Sequence, residues 1–222
     1  MTAAELTTPA VPSARPTPSG GFAAGGRLAW LHLRSRRVPT AVLALAVCGV
    51  ALRAVLRWHL MSGGVLAQQG PMVIECGAAV LIAMTTHSPF GEAEKVTGRW
   101  LPYLRLGGAL ALTGIAIGAL QLGVTGASQP GGILMLARNV IGVAGIGLVA
   151  SLFTGGLLAW IPAFAYLGFA EFALNSEWNN PWTWPVRPPD DRGAWICATL
   201  VFAIGLAAIT LRGPRTTLSD NG

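Results

Sequence analysis

SPFGEAEKVTGRWLPYLR, residues 88 to 105, interrupts two long apolar runs and decides how the whole chain is read. Its 18 residues carry Glu92, Glu94, Lys95, Arg99 and Arg105, and Lys95 is the only lysine of the chain. The runs on either side are apolar enough to cross a bilayer. A short polar stretch between two spans, helical by composition, offers a handle to a partner at the membrane surface.

The rest of the composition agrees. Of 222 residues 53% are hydrophobic and only 11% charged, with a mean hydropathy of +0.57. Soluble proteins carry about 25% charged residues, so an ordinary soluble domain is excluded. Gly and Ala fill the apolar runs, as in helices that pack closely in lipid. A net charge of +6 would suggest nucleic acid in a soluble protein. Here the arginines flank apolar runs, and a positive-inside topology with lipid headgroups accounts for them, leaving no nucleic-acid partner. Fourteen Arg to one Lys, with abundant Ala and Gly, fits a GC-rich coding bias and a bacterial inner membrane.

Upstream of the interruption, residues 1–26 are rich in Thr, Ala, Pro, Ser and Gly without apolar periodicity. Such a segment buries too little surface to offset its ordering entropy, which predicts a disordered cytoplasmic tail. There is no apolar run after a short basic start, so no secretory signal is read. Residues 27–37, RLAWLHLRSRR, set Leu28, Trp30, Leu31 and Leu33 among Arg27, Arg34, Arg36 and Arg37. They read as a basic amphipathic helix lying in the headgroup layer, or as a positive anchor for the first span. That span runs over about 38–58. Arg53 and Arg57, one helical turn apart near its end, either snorkel to the interface or line a polar cavity. Residues 61–70 read as an outer loop, and Pro71 opens a second span to about Thr86, short for a ~30 Å hydrocarbon core.

Downstream, spans are predicted over 106–124, 133–153, 157–174 and 194–211. Gly114 and Gly118, and then Gly142, Gly145 and Gly147, offer smooth faces for close helix contact. Pro162 should kink the fifth helix or mark a break. The segment 175–193 carries Trp178, Trp182 and Trp184 with Pro181, Pro185, Pro188 and Pro189, and reads as a rigid aromatic belt at the outer interface. A short cytoplasmic tail, 214–222, follows. Arg27, Arg34, Arg36, Arg37, Lys95, Arg99, Arg105, Arg212 and Arg215 then lie inside, against Arg53, Arg57, Arg187 and Arg192 outside. That bias predicts both termini in the cytoplasm.

Three ionisable residues fall inside spans at similar depth: Glu75, Arg138 and Glu171. A lone charge there is costly, so Arg138 is expected to pair with Glu75 or Glu171, unless the carboxylates reach headgroup water separately. No phosphate-binding loop, HExxH, GxSxG or CxxC motif occurs, so no catalytic residue, cofactor or metal ligand is assigned. Cys48, Cys76 and Cys197 lie in apolar runs and read as small buried hydrophobes. Asp190-Asp191, between prolines and Arg192, read as a turn in preference to a cation site.

The arrangement resembles the membrane subunit of a type-two ABC exporter, over residues 27–213. The resemblance is positional: a basic amphipathic segment before the first of six spans, a short charged helix (Pro89 to Gly98) between spans two and three, and a Pro/Trp-bearing segment between spans five and six. It implies an all-α integral membrane protein of six helices. It also implies ATPase coupling through Pro89, Phe90, Gly91, Glu92, Glu94, Lys95 and Arg99. ATP and Mg would sit on a separate ATPase subunit, and the permease would work as a homodimer or heterodimer. The cargo implied is amphipathic or lipid-like. Two readings from other classes stand beside it: a non-transporting membrane adaptor or immunity-type protein, and a small integral-membrane enzyme using Glu75, Arg138 and Glu171.

Overall fold

The computed structural model describes residues 38–62, 65–85, 101–126, 131–154, 156–176 and 180–212. Within them the chain is all helical, with six α-helices and no strand. These are α1 (Val38–Ser62), α2 (Val65–Thr85), α3 (Leu101–Val124), α4 (Gly132–Thr154), α5 (Trp160–Asn175) and α6 (Arg192–Arg212). Two single 3-10 turns, Gly156–Leu158 and Trp184–Val186, flank α5. Sequences this apolar and rich in Ala and Leu satisfy their backbone groups within each helix, as lipid requires. Four helices are long and apolar enough to cross a membrane: Val38–Trp58, Pro102–Val124, Gly132–Thr154 and Arg192–Leu211. The apolar part of α2, Gln69–Thr85, is shorter at 17 residues, and α5 has 16.

Helix α4 is the centre of the bundle. It packs most extensively on α6 and also meets α2, α3 and α5, whereas α1 packs on α2 and α3. In its apolar window 61% of residues are buried, against 22% in α1 and in α6. The reason lies in its small residues. A Cβ at Gly145 would lie 2.6 Å from Phe202 N of α6, and one at Gly205 would lie 2.8 Å from Gly145 O. The two backbones therefore touch. A Cβ at Gly147 would meet the Ala83 methyl of α2 at 2.8 Å. On the other side of the bundle α1 and α3 cross in the same way, Gly49 against Ala119 and Gly123. Arg53 of α1 reaches the turn after α3, its Nη1 donating to Thr125 Oγ1 at 3.4 Å. Arg53 and Arg57 are both exposed there. Past Val124 the chain turns at Gly126, whose φ of 80° suits a residue without Cβ.

Several expectations change. The loop expected over 61–70 is largely helix: α1 continues to Ser62 and α2 begins at Val65, carrying Pro71 inside it. Pro71 lies within two turns of the helix start, where the bond it removes is close to the end of the ladder. Pro162 does not kink a long fifth helix. It stands in the first turn of α5, just after the 3-10 turn, so it marks the break. Gly114 and Gly118 touch nothing within 4 Å and face outward from α3, so close contact within this chain falls to Gly123 instead. Trp184 does not join an interfacial belt. It is buried, and its ring lies so close to Gly142 that a Cβ there would be 2.5 Å from it. The in-plane segment 27–37, the coupling residues 89–99, Trp178 and both tails lie outside the described residues.

Candidate functional site: a buried polar cluster beneath the cap

Arg138 and Asn139 are consecutive residues near the start of α4, and both are buried, with Arg138 at 0% exposure. Sequence alone left open whether Arg138 meets Glu75 or Glu171. In the fold both its Nη atoms donate to main-chain carbonyls, Nη1 to Pro188 O at 2.6 Å and Nη2 to Arg187 O at 2.7 Å. Asn139 takes the carboxylate: its Nδ2 donates to Glu75 Oε2 at 3.0 Å. Glu75, on α2, is 3% exposed. Glu171 is half-buried on α5.

The local sequence explains why the carbonyls of Arg187 and Pro188 look inward. Pro188 and Pro189 have no N–H, so a turn built on them has fewer donors than acceptors. A guanidinium is planar and forked, and it can serve two neighbouring carbonyls at once. Pro188 O accepts as well from Asp191 N at 3.2 Å.

Residues 180–191 form a cap over this end of the bundle, held by three helices. From α6, Trp195 Nε1 donates to Pro189 O at 2.8 Å. From α5, Tyr166 Oη donates to Trp182 O at 2.6 Å. Its ring lies 4.6 Å from that of Trp184, and Phe169 stacks on Trp182 at 5.1 Å. From α4 comes Arg138. Asp191 closes the cap as the N-cap of α6: Ala194 N donates to its Oδ1 at 3.0 Å. Its Oδ2 accepts from Arg187 Nε at 2.7 Å and pairs with Nη2 at 2.5 Å. The Ala194 N–H, followed by the Arg187 guanidinium, holds the Asp191 carboxyl below its ordinary range. The Asp190-Asp191 pair is thus part of a turn and helix cap, as its flanking residues suggested.

A cavity of about 10 Å³ borders the cluster, between Glu75 and Cys76 of α2, Asn139 and Val143 of α4, and Pro185 of the cap. Three buried polar atoms of the cluster have no protein partner: Arg138 Nε, Asn139 Oδ1 and Trp184 Nε1. The cysteines are free thiols, with Cys76 in the main core and Cys48 packed against it. Among the described residues no three His, Cys, Asp or Glu side chains come together as a metal site would require.

Sequence reading therefore found Glu75 and Arg138 but not their partners. Asn139 is a neutral residue beside a charge, and nothing in its spacing singles it out. Compared with protein families, characterised proteins and solved structures, the chain has no significant match.

Proposed function

We propose that this chain is the membrane-spanning subunit of an ATP-driven exporter, crossing a bacterial inner membrane six times with both termini in the cytoplasm. In this reading α2 and α5 also cross, and the cap faces outward. The segment 88–99 faces the cytoplasm and takes up the stroke of a separate ATPase. The observation that carries the reading is the buried Glu75–Asn139–Arg138 cluster under an anchored cap. Ionisable residues at membrane depth are costly and by default mark a functional pathway. In this reading the cluster and the coupling segment lie on opposite sides of the membrane, and rigid helices carry the stroke between them.

The proposed path for cargo lies between two copies of the chain. The face of α3 that carries Gly107, Gly114 and Gly118, with Ile115 and Leu122, is exposed and smooth. It suits a second permease subunit. The second reading is a membrane adaptor that recruits a partner through residues 88–99 and moves nothing.

Purification from native membranes separates these readings. An exporter subunit brings a P-loop ATPase with it, and replacing Glu92 and Glu94 with Lys releases that ATPase while the helical bundle stays folded. An adaptor brings partners that hydrolyse no ATP. Unchanged ATPase association after the double charge reversal contradicts the coupling role given to Glu92 and Glu94.

A further inference from the structure

We propose that Glu75 is a proton-binding site, at which the bundle holds a neutral carboxylic acid paired with the Asn139 amide. Glu75 is 3% exposed and Asn139 4%. Around them the wall is formed by Met72, Val143, Leu167 and Pro185. A carboxylate in such apolar surroundings loses its hydration, and taking up a proton removes most of that cost. Asn139 shows which state the site is built for. Its Nδ2 donates to Glu75 Oε2 at 3.0 Å, while its Oδ1 is a buried acceptor with no partner. A carboxylate has no proton to offer that oxygen, and a carboxylic acid has one. Glu75 makes a further interaction as well, so the unmet need lies with the amide alone. Protonated, Glu75 donates to Oδ1 through one oxygen and keeps the bond from Nδ2 on the other, the two-bond pairing of an acid with a primary amide. Turning the amide over leads to the same result, because an Oδ1 that faces Glu75 can be bonded only by an acid.

The cation of the cluster is committed elsewhere. Both Nη atoms of Arg138 serve cap carbonyls, and its coupling to Glu75 is weaker than that to Asp191, Tyr166 or Arg187. The other elements packed against α2 bring Cys48, Arg53 and Arg57 from α1, Tyr103 and Arg105 from α3, and Tyr166 and Glu171 from α5. Arg53, Arg57 and Tyr103 are exposed, and Arg105 and Glu171 are half-buried. The Tyr166 hydroxyl is spent on Trp182 O. Glu75 is buried by the chain's own packing, so the site belongs to an exporter and an adaptor alike, in either orientation across the membrane.

The test is infrared spectroscopy of the full chain in lipid nanodiscs at pH ~7. Carboxyls in water ionise near pH ~4, so at this pH a carbonyl band from a protonated carboxylic acid reports a sheltered group. The proposal expects that band in the wild type and its loss in Glu75→Gln, with Glu171→Gln leaving it in place. Asn139→Leu should keep the band but move it to higher frequency, because the carbonyl loses its Nδ2 donor. Glu75→Gln should also melt no lower than wild type, since a primary amide offers the same donor and acceptor as the acid. Absence of the acid band from the wild type, which needs no variant to fold, overturns the proposal. A band that a folded Glu75→Gln variant retains does the same. So does a marked loss of stability in Glu75→Gln, which would show that the position requires a charge.

Discussion

At the scale of single residues the chain depends on side chains serving main-chain carbonyls. Arg138 holds the carbonyls of Arg187 and Pro188 where proline has removed the local donors. Arg138→Met removes the guanidinium from both carbonyls, leaving Pro188 O with Asp191 N, and should lower stability by about 1.5–3 kcal/mol, the range for hydrogen bonds to a charged group. Arg138→Lys keeps the charge but loses the fork, and should fall between wild type and Met. Thermal unfolding in detergent ranks the three, and a Lys variant no better than Met contradicts the bidentate role. Asp191 makes the cap sensitive to acid. Its folded-state pKa is lowered, first by the Ala194 N–H and then by Arg187, so it favours the folded cap above the ordinary carboxylate value of about 3.9. That contribution fades as pH falls below this value and is lost through the lower folded pKa. Tryptophan emission followed down in pH should hold steady through pH ~5 and shift only below ~4, and Asp191→Asn should remove the shift. These partnerships were illegible beforehand because they join residues some 50 positions apart through carbonyls, which every residue has. Asn139 and Tyr166 carry no charge to betray them, and Trp184 looked interfacial because aromatic content near a span end cannot tell a belt from a core plug.

At the scale of elements, the helices were readable because a lipid-crossing run is its own signal. The third, fourth and sixth predicted spans fall within a few residues of α3, α4 and α6. The errors fell where composition is mixed. Residues 61–70 contain Gly and Gln and look like a loop, yet α1 and α2 carry their helices into them. Glycine spacing was only half informative, since it shows that a face is smooth but not which neighbour uses it. Gly145 and Gly205 are used within the chain, and Gly114 and Gly118 are not. The contrast is testable. Gly145→Leu forces α4 from α6 and should destabilise by at least the 1–3 kcal/mol typical of overpacking. Gly114→Leu meets open space and should leave the unfolding temperature of the isolated chain within a degree or two of wild type, as surface changes of up to ~0.5 kcal/mol do. If a second copy packs on α3, the Gly114 variant should lose dimer by native mass spectrometry while keeping its fold. Equal thermal losses from the two substitutions would contradict the packing described.

At the scale of the whole molecule, the described helices form a bundle centred on α4, capped at one end by residues 180–191. The proposed topology puts cap and charged segment on opposite sides of the membrane, with the charged side within the cell. The most direct measurement is labelling by a membrane-impermeant maleimide in intact cells, with the native cysteines replaced by Ala and one reporter introduced at a time, Asp190→Cys or Lys95→Cys. Labelling of the Asp190 reporter in intact cells, with the Lys95 reporter reacting only after permeabilisation, is the predicted result. Labelling of both from outside, or of the Lys95 reporter alone, would contradict it.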